Sequence, residues 1–293
     1  MAPVLTIGTF DAVHRGHQRL IADAACYGPV TVVTFDPHPR AVLQGVPHLP
    51  LLSIEQRQAQ LFAAGADRVR VIPFTPELAQ LSYEAFLDLL RQEEPFQFLV
   101  GGPQHAIGHQ RGGTCSALRA LGEQWGFEFL EMSPQVDTGG IISASRIRGL
   151  LAQGELAQVE ALLGRPHLFW GPVIQGAGRG TPLGFPTANL ATGKILLPPH
   201  GVYAAQVYRR VEGEPLGPLS SPLPAVVNLG PAPTVHREEI LLEAHLLDWQ
   251  GDLRGETIGI RLVRYLRPQQ RFSGLDALKT QLAQDVRHAS QLL

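Results

Sequence analysis

The chain has 293 residues, 44% hydrophobic and 17% charged, with a formal net charge of −2 and a pI near 6.6. That length suits two domains of about 100–200 residues, with enough apolar content for sizeable cores and too much for disorder. Without a run of lysines or arginines, the balance sets aside binding to long nucleic acid or an anionic membrane surface, since both need a concentrated basic face.

In chain order, the apolar run at residues 4–7 predicts a short strand, followed by GTFDAVHRGH at 8–17. A helix is expected over 17–26, where Leu20, Ile21 and Ala24 share a face, and a second strand over 30–35 (VTVVTF). Ser53 and Gln56 have capping-box spacing and open a helix expected over 53–64, before Gly65. A strand over 69–74, a helix over 82–92 carrying Phe86, Leu89 and Leu90, and a strand over 98–100 follow. Strands alternating with helices at this spacing predict a doubly wound parallel α/β sheet.

A helical pair, 145–151 and 155–163, ends at Gly164-Arg165-Pro166 and marks the expected boundary, giving domains 1–166 and 167–293. Beyond it the grammar changes. GVYAAQVY, PAVVNLG, ILLEAHLLDW and TIGIRLVRYLR read as strands between glycine and proline turns, and residues 275–292 return to helical spacing. The second domain is therefore expected to be a small antiparallel β-barrel with a terminal helix.

The apolar stretch at the N-terminus has no positive flank and is broken early by Gly8, unlike a secretion signal. Nothing approaches the roughly 18 apolar residues of a membrane span. Cys26 and Cys115 suit a reducing compartment. The expectation is a soluble cytoplasmic protein; nothing in the sequence sets an oligomeric state.

His14 and His17 lie where the first strand gives way to a helix. They can be read as a metal pair, as a chance pair of loop histidines, or as part of a phosphate site at a helix N-terminus. Neither cysteine supplies an obvious further zinc ligand. TFDPHP at 34–39 ends the second strand, and ISASRIR at 142–148 places hydroxyls and two arginines, suited to bidentate phosphate contacts, at a helix start. In this order the three segments resemble the adenylyltransferase module of bacterial bifunctional riboflavin kinase/FAD synthetases, within the HxGH nucleotidyltransferase superfamily. The resemblance implies that His14 and His17 contact ATP phosphates, with Ser145, Arg146 and Arg148 opposite and Gly8, Phe10 and Asp11 at the nucleotide pocket. Ala12 stands where that family usually has glycine. Gln104, His105 and Ile107 replace an aspartate and two aromatics in a loop associated with the flavin, so weak FMN binding is expected there.

In the second half, the glycine-rich GAGRG at 176–180 allows backbone N–H groups, as at Gly178 and Gly180, to approach phosphates. In GFPTAN, Thr187 and Asn189 are alternate residues with hard oxygen donors, suited to Mg²⁺; a proline turn with an Asn cap is the plainer alternative. Glu243 interrupts an apolar strand and is a candidate general base; it could instead sit on the solvated face of an edge strand. GRGTPLGFPTANL, PPHGVYA, VNLGPAPTV and LEAHLLDW together resemble the riboflavin kinase barrel. That implies Mg²⁺ and ATP held by Thr187 and Asn189, with Glu243 taking the proton of the ribityl 5′-hydroxyl. Arg254, where the family usually carries tyrosine, is expected outside the catalytic pieces.

The function so implied is sequential: riboflavin and ATP give FMN, then FMN and ATP give FAD and pyrophosphate. Three alternatives stand beside it. They are a kinase with a weakened adenylyltransferase, a flavin carrier without turnover, and an HxGH transferase for another substrate with an RNA-binding barrel.

Overall fold

The computed structural model describes residues 2–45, 47–175, 185–210, 221–231 and 240–293. They divide into two compact units, Met1–Ile147 and Arg148–Leu293.

The first unit is built on five parallel strands: β1 (Val4–Ile7), β2 (Val30–Asp36), β3 (Arg68–Pro73), β4 (Phe98–Gly101) and, after two short strands, β7 (Glu128–Glu131). Their order is β3-β2-β1-β4-β7, so the chain reverses direction across the sheet between β1 and β4. Every residue of β1 is buried, as a central strand covered on both faces requires. Val4 faces one layer with Ile21 of α1 (Arg15–Ala25) and Leu61 of α3 (Ile54–Ala63). Leu5 and Ile7 face the other, with Leu87 and Leu90 of α5 (Tyr83–Glu93) and Leu118 of α6 (Cys115–Trp125). The Ser53–Gln56 capping box forms as its spacing predicts.

Several elements carry weaker local signals. Two short helices, α2 (Pro39–Gln44) and α4 (Pro76–Gln80), each begin on a proline after a residue whose side chain caps them. The ribbon of β5 (Ala106–Ile107) and β6 (Gly113–Thr114) leads into α6, and the hairpin of β8 (Val136–Asp137) and β9 (Gly140–Ile141) leads into α7 (Ala144–Gln153).

In the second unit, α8 (Leu156–Leu163) ends in left-handed Gly164. β10 (Leu168–Ile174), β11 (Ala188–Leu190), β12 (Gly201–Arg209), β13 (Leu223–Pro231), β14 (Ile240–Leu246) and β15 (Thr257–Arg267) close into an antiparallel barrel, in the order β10-β11-β14-β13-β12-β15. Period-2 alternation sends Leu242, Ala244 and Leu246 inward, and Glu243 and His245 outward. Outside the barrel, Val286 and Ala289 of α9 (Leu275–Ser290) pack on Val202 and Val226. Arg267 anchors that helix by donating to both oxygens of the buried Asp285, at 2.7 Å from Nη2 to Oδ2 and 2.9 Å from Nε to Oδ1.

Candidate active sites

The loop from β1 to α1 is tightly wound. Phe10 and Val13 take φ of 45° and 42°, a left-handed conformation costing about 1–3 kcal/mol for such residues unless the surroundings hold it. Ala12 is buried and is not among the positive-φ residues, so its replacement of glycine introduces no backbone strain. His14 is the N-cap of α1, its Nδ1 accepting the His17 N–H at 3.3 Å. The His17 ring stacks on His14 with centroids 3.7 Å apart, and Phe10 meets His17 edge-on at 4.9 Å. The glycines permit this packing: a Cβ at Gly16 would lie 3.1 Å from the His14 ring, and one at Gly8 would lie 3.0 Å from the Phe10 ring.

Gly8, Phe10, His14 and His17 line a cavity of about 540 Å³ whose other walls include Gln104, His105 and Ile142. It lies at the carboxyl ends of β1 and β4, where the strand order reverses, the usual ligand position in an open α/β sheet. The aligned peptide dipoles at the N-terminus of α1 add positive potential there. Asp11, expected at this pocket, does not line it; its carboxylate is buried and accepts the Leu51 N–H at 2.8 Å. Among the described residues, Asp11, His38 and His48 bring potential metal-ligand atoms within 4.8 Å of one another, a group containing neither His14 nor His17.

Ser143 caps α7 by accepting the Arg146 N–H at 3.3 Å. Ser145 is exposed, and neither it nor Arg146 is on the cavity wall. Asp137 on β8 grips the Arg146 guanidinium with both oxygens, at 2.5 and 3.0 Å, and the arginine holds that carboxyl below its usual range. Gly139 makes room for this, since a Cβ there would fall 2.2 Å from Nη2. Arg148 is half-buried on α7 and belongs to the second unit.

A second cavity of about 500 Å³ shares Gly8, Gln104 and His105 with the first. Ile107 lines it and is only 9% exposed, already packed in the core. Phe35, Phe74 and Phe86 provide aromatic surface on this wall. The 103–107 loop carries neither of the two aromatics usual in that family, but β2, the segment after β3, and α5 bring flat faces to the same cavity. Their signal is positional, since Phe35 and Phe74 stand at or just beyond strand carboxyl ends. His105 packs against Phe129 and Gly101, with Nε2 sealed from solvent and lacking a hydrogen-bond partner among the described residues. Burial, then the charge of Arg111, pushes its pKa down to about 4, so the imidazole is neutral at pH 7.

In the second unit, strand register brings the polar residues together. Asn189 on β11 lies opposite Glu243 on β14, which lies opposite Asn228 on β13. Asn228 Nδ2 donates to Glu243 Oε2 at 3.2 Å, and Gln269 Nε2 donates to Asn228 Oδ1 at 2.9 Å. Glu243 is half-buried on the outer barrel face, on a strand paired on both sides rather than at an edge. Thr187 and Asn189 line a cavity of about 620 Å³ with Trp249, Asp252 and Arg254. Arg254, expected outside the catalytic pieces, is thus on the wall beside Thr187 and Asn189; its guanidinium is held by Asp252, whose pKa it lowers to about 2. Gly178 and Gly180 lie outside the described residues.

No helix among the described residues is long and apolar enough to cross a membrane. A family described as FAD synthetase matches residues 2–146, and one described as riboflavin kinase matches 163–293. The chain is 36% identical to a bifunctional riboflavin kinase/FMN adenylyltransferase from Escherichia coli K12, covering 96% of this chain and 90% of the relative. Relatives so described from Pseudomonas fluorescens and Bacillus subtilis are 35% and 30% identical, covering 99% and 98% of this chain and 92% and 91% of theirs. A solved structure described as a macrolide-efflux protein from Streptococcus pneumoniae is similar in fold, with TM-score 0.83 and 26% identity over 99% of this chain and 94% of that one.

Proposed function

We infer the roles of individual residues from one premise: the chain belongs to the bifunctional riboflavin kinase/FMN adenylyltransferase family. It phosphorylates riboflavin to FMN with ATP and adenylylates FMN to FAD with a second ATP, releasing pyrophosphate. Neither the carrier reading nor the weakened-transferase reading draws support from the comparisons. We propose that residues 1–166 carry adenylyl transfer and 167–293 the kinase; the start of the barrel at Leu168 and the family matches, which end at 146 and begin at 163, support a division in this region, while the compact units part earlier, after Ile147.

In adenylyl transfer, an FMN phosphate oxygen attacks the α-phosphorus of ATP as the bond to pyrophosphate breaks. His14 and His17 are proposed to meet the charge that develops on the phosphates, aided by the α1 N-terminus, because preorganised donors are most effective where charge accumulates. Ser145, Arg146 and Arg148 are proposed to contact the triphosphate. For Arg146 this requires exchanging the Asp137 carboxylate for a phosphate, another bidentate acceptor. The flavin is proposed to enter the cavity beside Gln104, His105 and Ile107, with the phenylalanine wall supplying apolar contact.

In the kinase, Glu243 is proposed to take the proton of the ribityl 5′-hydroxyl as that oxygen attacks the γ-phosphorus and ADP leaves. The observation that supports this assignment is the cross-strand row Asn189–Glu243–Asn228, in which Glu243, itself off the cavity wall, lies opposite Asn189, which is on it. Those two side chains fit Mg²⁺, offering hard oxygens on one wall; when bound, the ion neutralises charge on the transferring phosphoryl group. Gly178 and Gly180 are proposed to approach ATP phosphates through their backbone. A cytoplasmic site of action is proposed, supported by the unpaired Cys26 and Cys115.

Incubation with riboflavin and Mg²⁺-ATP, followed by chromatographic separation of the flavins, should show FMN and then FAD, with ADP and pyrophosphate as co-products. Failure to form FAD from supplied FMN would reject the adenylyl-transfer reading. Thr187→Ala and Asn189→Ala should raise the Mg²⁺ requirement of FMN formation alone; unchanged dependence in both would reject them as ligands.

A further inference from the structure

The strained residue of the phosphate loop is anchored on both sides, before it by β2 with α3 behind, and after it by the segment leading into α3. Before Phe10, the Thr9 carbonyl accepts the hydroxyl of Thr34 on β2 at 3.0 Å. Arg57 Nη1 approaches that same hydroxyl at 3.4 Å and donates to the Phe35 carbonyl at 2.8 Å. After Phe10, the buried Asp11 carboxylate accepts the Leu51 N–H at 2.8 Å. Leu51 leads into α3, and Arg57 lies on α3. Residue 9 is thus tied to β2, which Arg57 braces from α3, and residue 11 to the segment entering α3, with the left-handed Phe10 between them.

Arg57 is 1% exposed, an unusual place for a guanidinium. Burial lowers its pKa while Asp11 and then Asp36 oppose the shift. Asp11 therefore acts as counter-charge to a buried cation. His38 is also committed, its Nδ1 accepting the Arg40 N–H at 3.1 Å, which disfavours reading Asp11, His38 and His48 as a metal cradle.

We propose that Arg57 and Thr34 are positioning residues for adenylyl transfer: they fix the carbonyl before Phe10, and the Phe10 ring in turn sets His17. The inference rests on the assignment of His17 to the phosphates. The relay has a consistent direction, because the Thr34 hydroxyl can accept from Arg57 while donating to Thr9. Loosening it should shift His17 rather than remove a substrate contact, and small displacements of positioned groups reduce turnover strongly.

The test uses the full chain, measuring pyrophosphate release from FMN and Mg²⁺-ATP and, in the same preparation, FMN formation from riboflavin. Thr34→Val, which removes the hydroxyl at nearly constant volume, should lower adenylyl-transfer kcat by about tenfold or more, with both KM values within about twofold. FMN formation should be unchanged, Thr34→Ser should restore kcat, and Arg57→Lys should fall in the same direction as Thr34→Val. In a His17→Ala background, Thr34→Val should cause no further loss, as expected of residues acting through one group. Wild-type kcat in Thr34→Val, a change confined to KM, a serine variant as impaired as valine, or multiplicative losses with His17→Ala would each overturn the proposal. Should Arg57→Lys fail to fold, the Thr34 pair and the double variant still decide. If His17→Ala alone leaves adenylyl transfer intact, the phosphate-site reading itself fails, a result distinct from failure of the relay.

Discussion

The two units assemble their polar sites in opposite ways. In the barrel, Asn189, Glu243 and Asn228 meet because three hydrogen-bonded strands are in register, and each side chain inherits its position from a ladder. In the α/β unit, the site is gathered from separated stretches of chain around a loop that two left-handed residues, Phe10 and Val13, hold out of the ordinary backbone regions. A ladder tolerates the loss of one side chain without moving its neighbours. A strained loop depends on what surrounds it, so changes outside its cavity should reach the chemistry.

The largest test of this contrast is Glu243→Gln. It should reduce FMN formation by about 10²–10⁴-fold, the contribution expected of a general base, and leave FAD formation from supplied FMN intact. Parallel loss of both activities in a folded protein would break the two-site assignment. His17→Ala should act in reverse, lowering adenylyl transfer by about 10²–10³-fold with riboflavin phosphorylation near wild type, measured on the same sample.

Stability against pH separates the units next. His105 stays neutral in the folded state down to about pH 4, whereas an unfolded histidine takes up a proton near 6.5. Between those values the unfolded chain binds more protons, so the first unit loses stability as pH falls from about 6.5 to about 4, by at most about 3 kcal/mol. His105→Asn should flatten that dependence in chemical denaturation monitored on the first unit; an unchanged slope would show that His105 is not its source. The smallest expected effect is at the flavin wall. Phe74→Ala should raise the KM for FMN about tenfold, within the ~1–3 kcal/mol per ring seen when bases stack on aromatics, with the KM for ATP unmoved. A steady FMN KM would show that this face does not meet the flavin.

The contrast also explains what can be read in advance. Strands 257–267 and 201–208 announce themselves through alternation and turn residues, the helix after Ser53 through its cap, and the helix over 82–92 through its apolar spacing, because those signals are local. Thr187, Asn189 and Glu243 are legible as chemistry, but their row depends on register between distant strands, which no short stretch encodes. Asp11 shows the opposite difficulty: a carboxylate within a phosphate-loop motif reads as a pocket residue, yet a long-range bond to Leu51 claims it. Phe35, Phe74 and Phe86 look like core in the sequence because apolar character does not distinguish a buried wall from a ligand-facing one. Arg254 is easily underestimated because its distance in sequence from Thr187 hides that both border one cavity.

Closure of the barrel bears on how each unit behaves when crowded with unfolded neighbours. Among the described residues the six strands close into a ring, so the strand order has no terminal strand on which another chain could template itself. The parallel sheet ends in two outer strands, β3 and β7, and both are guarded by charge: Arg68 and Arg70 on β3 pair with Glu94 and Glu93, and Glu131 on β7 pairs with Arg119. Protection from self-association is therefore topological in one half of the chain and electrostatic in the other, so added salt screens only the second kind.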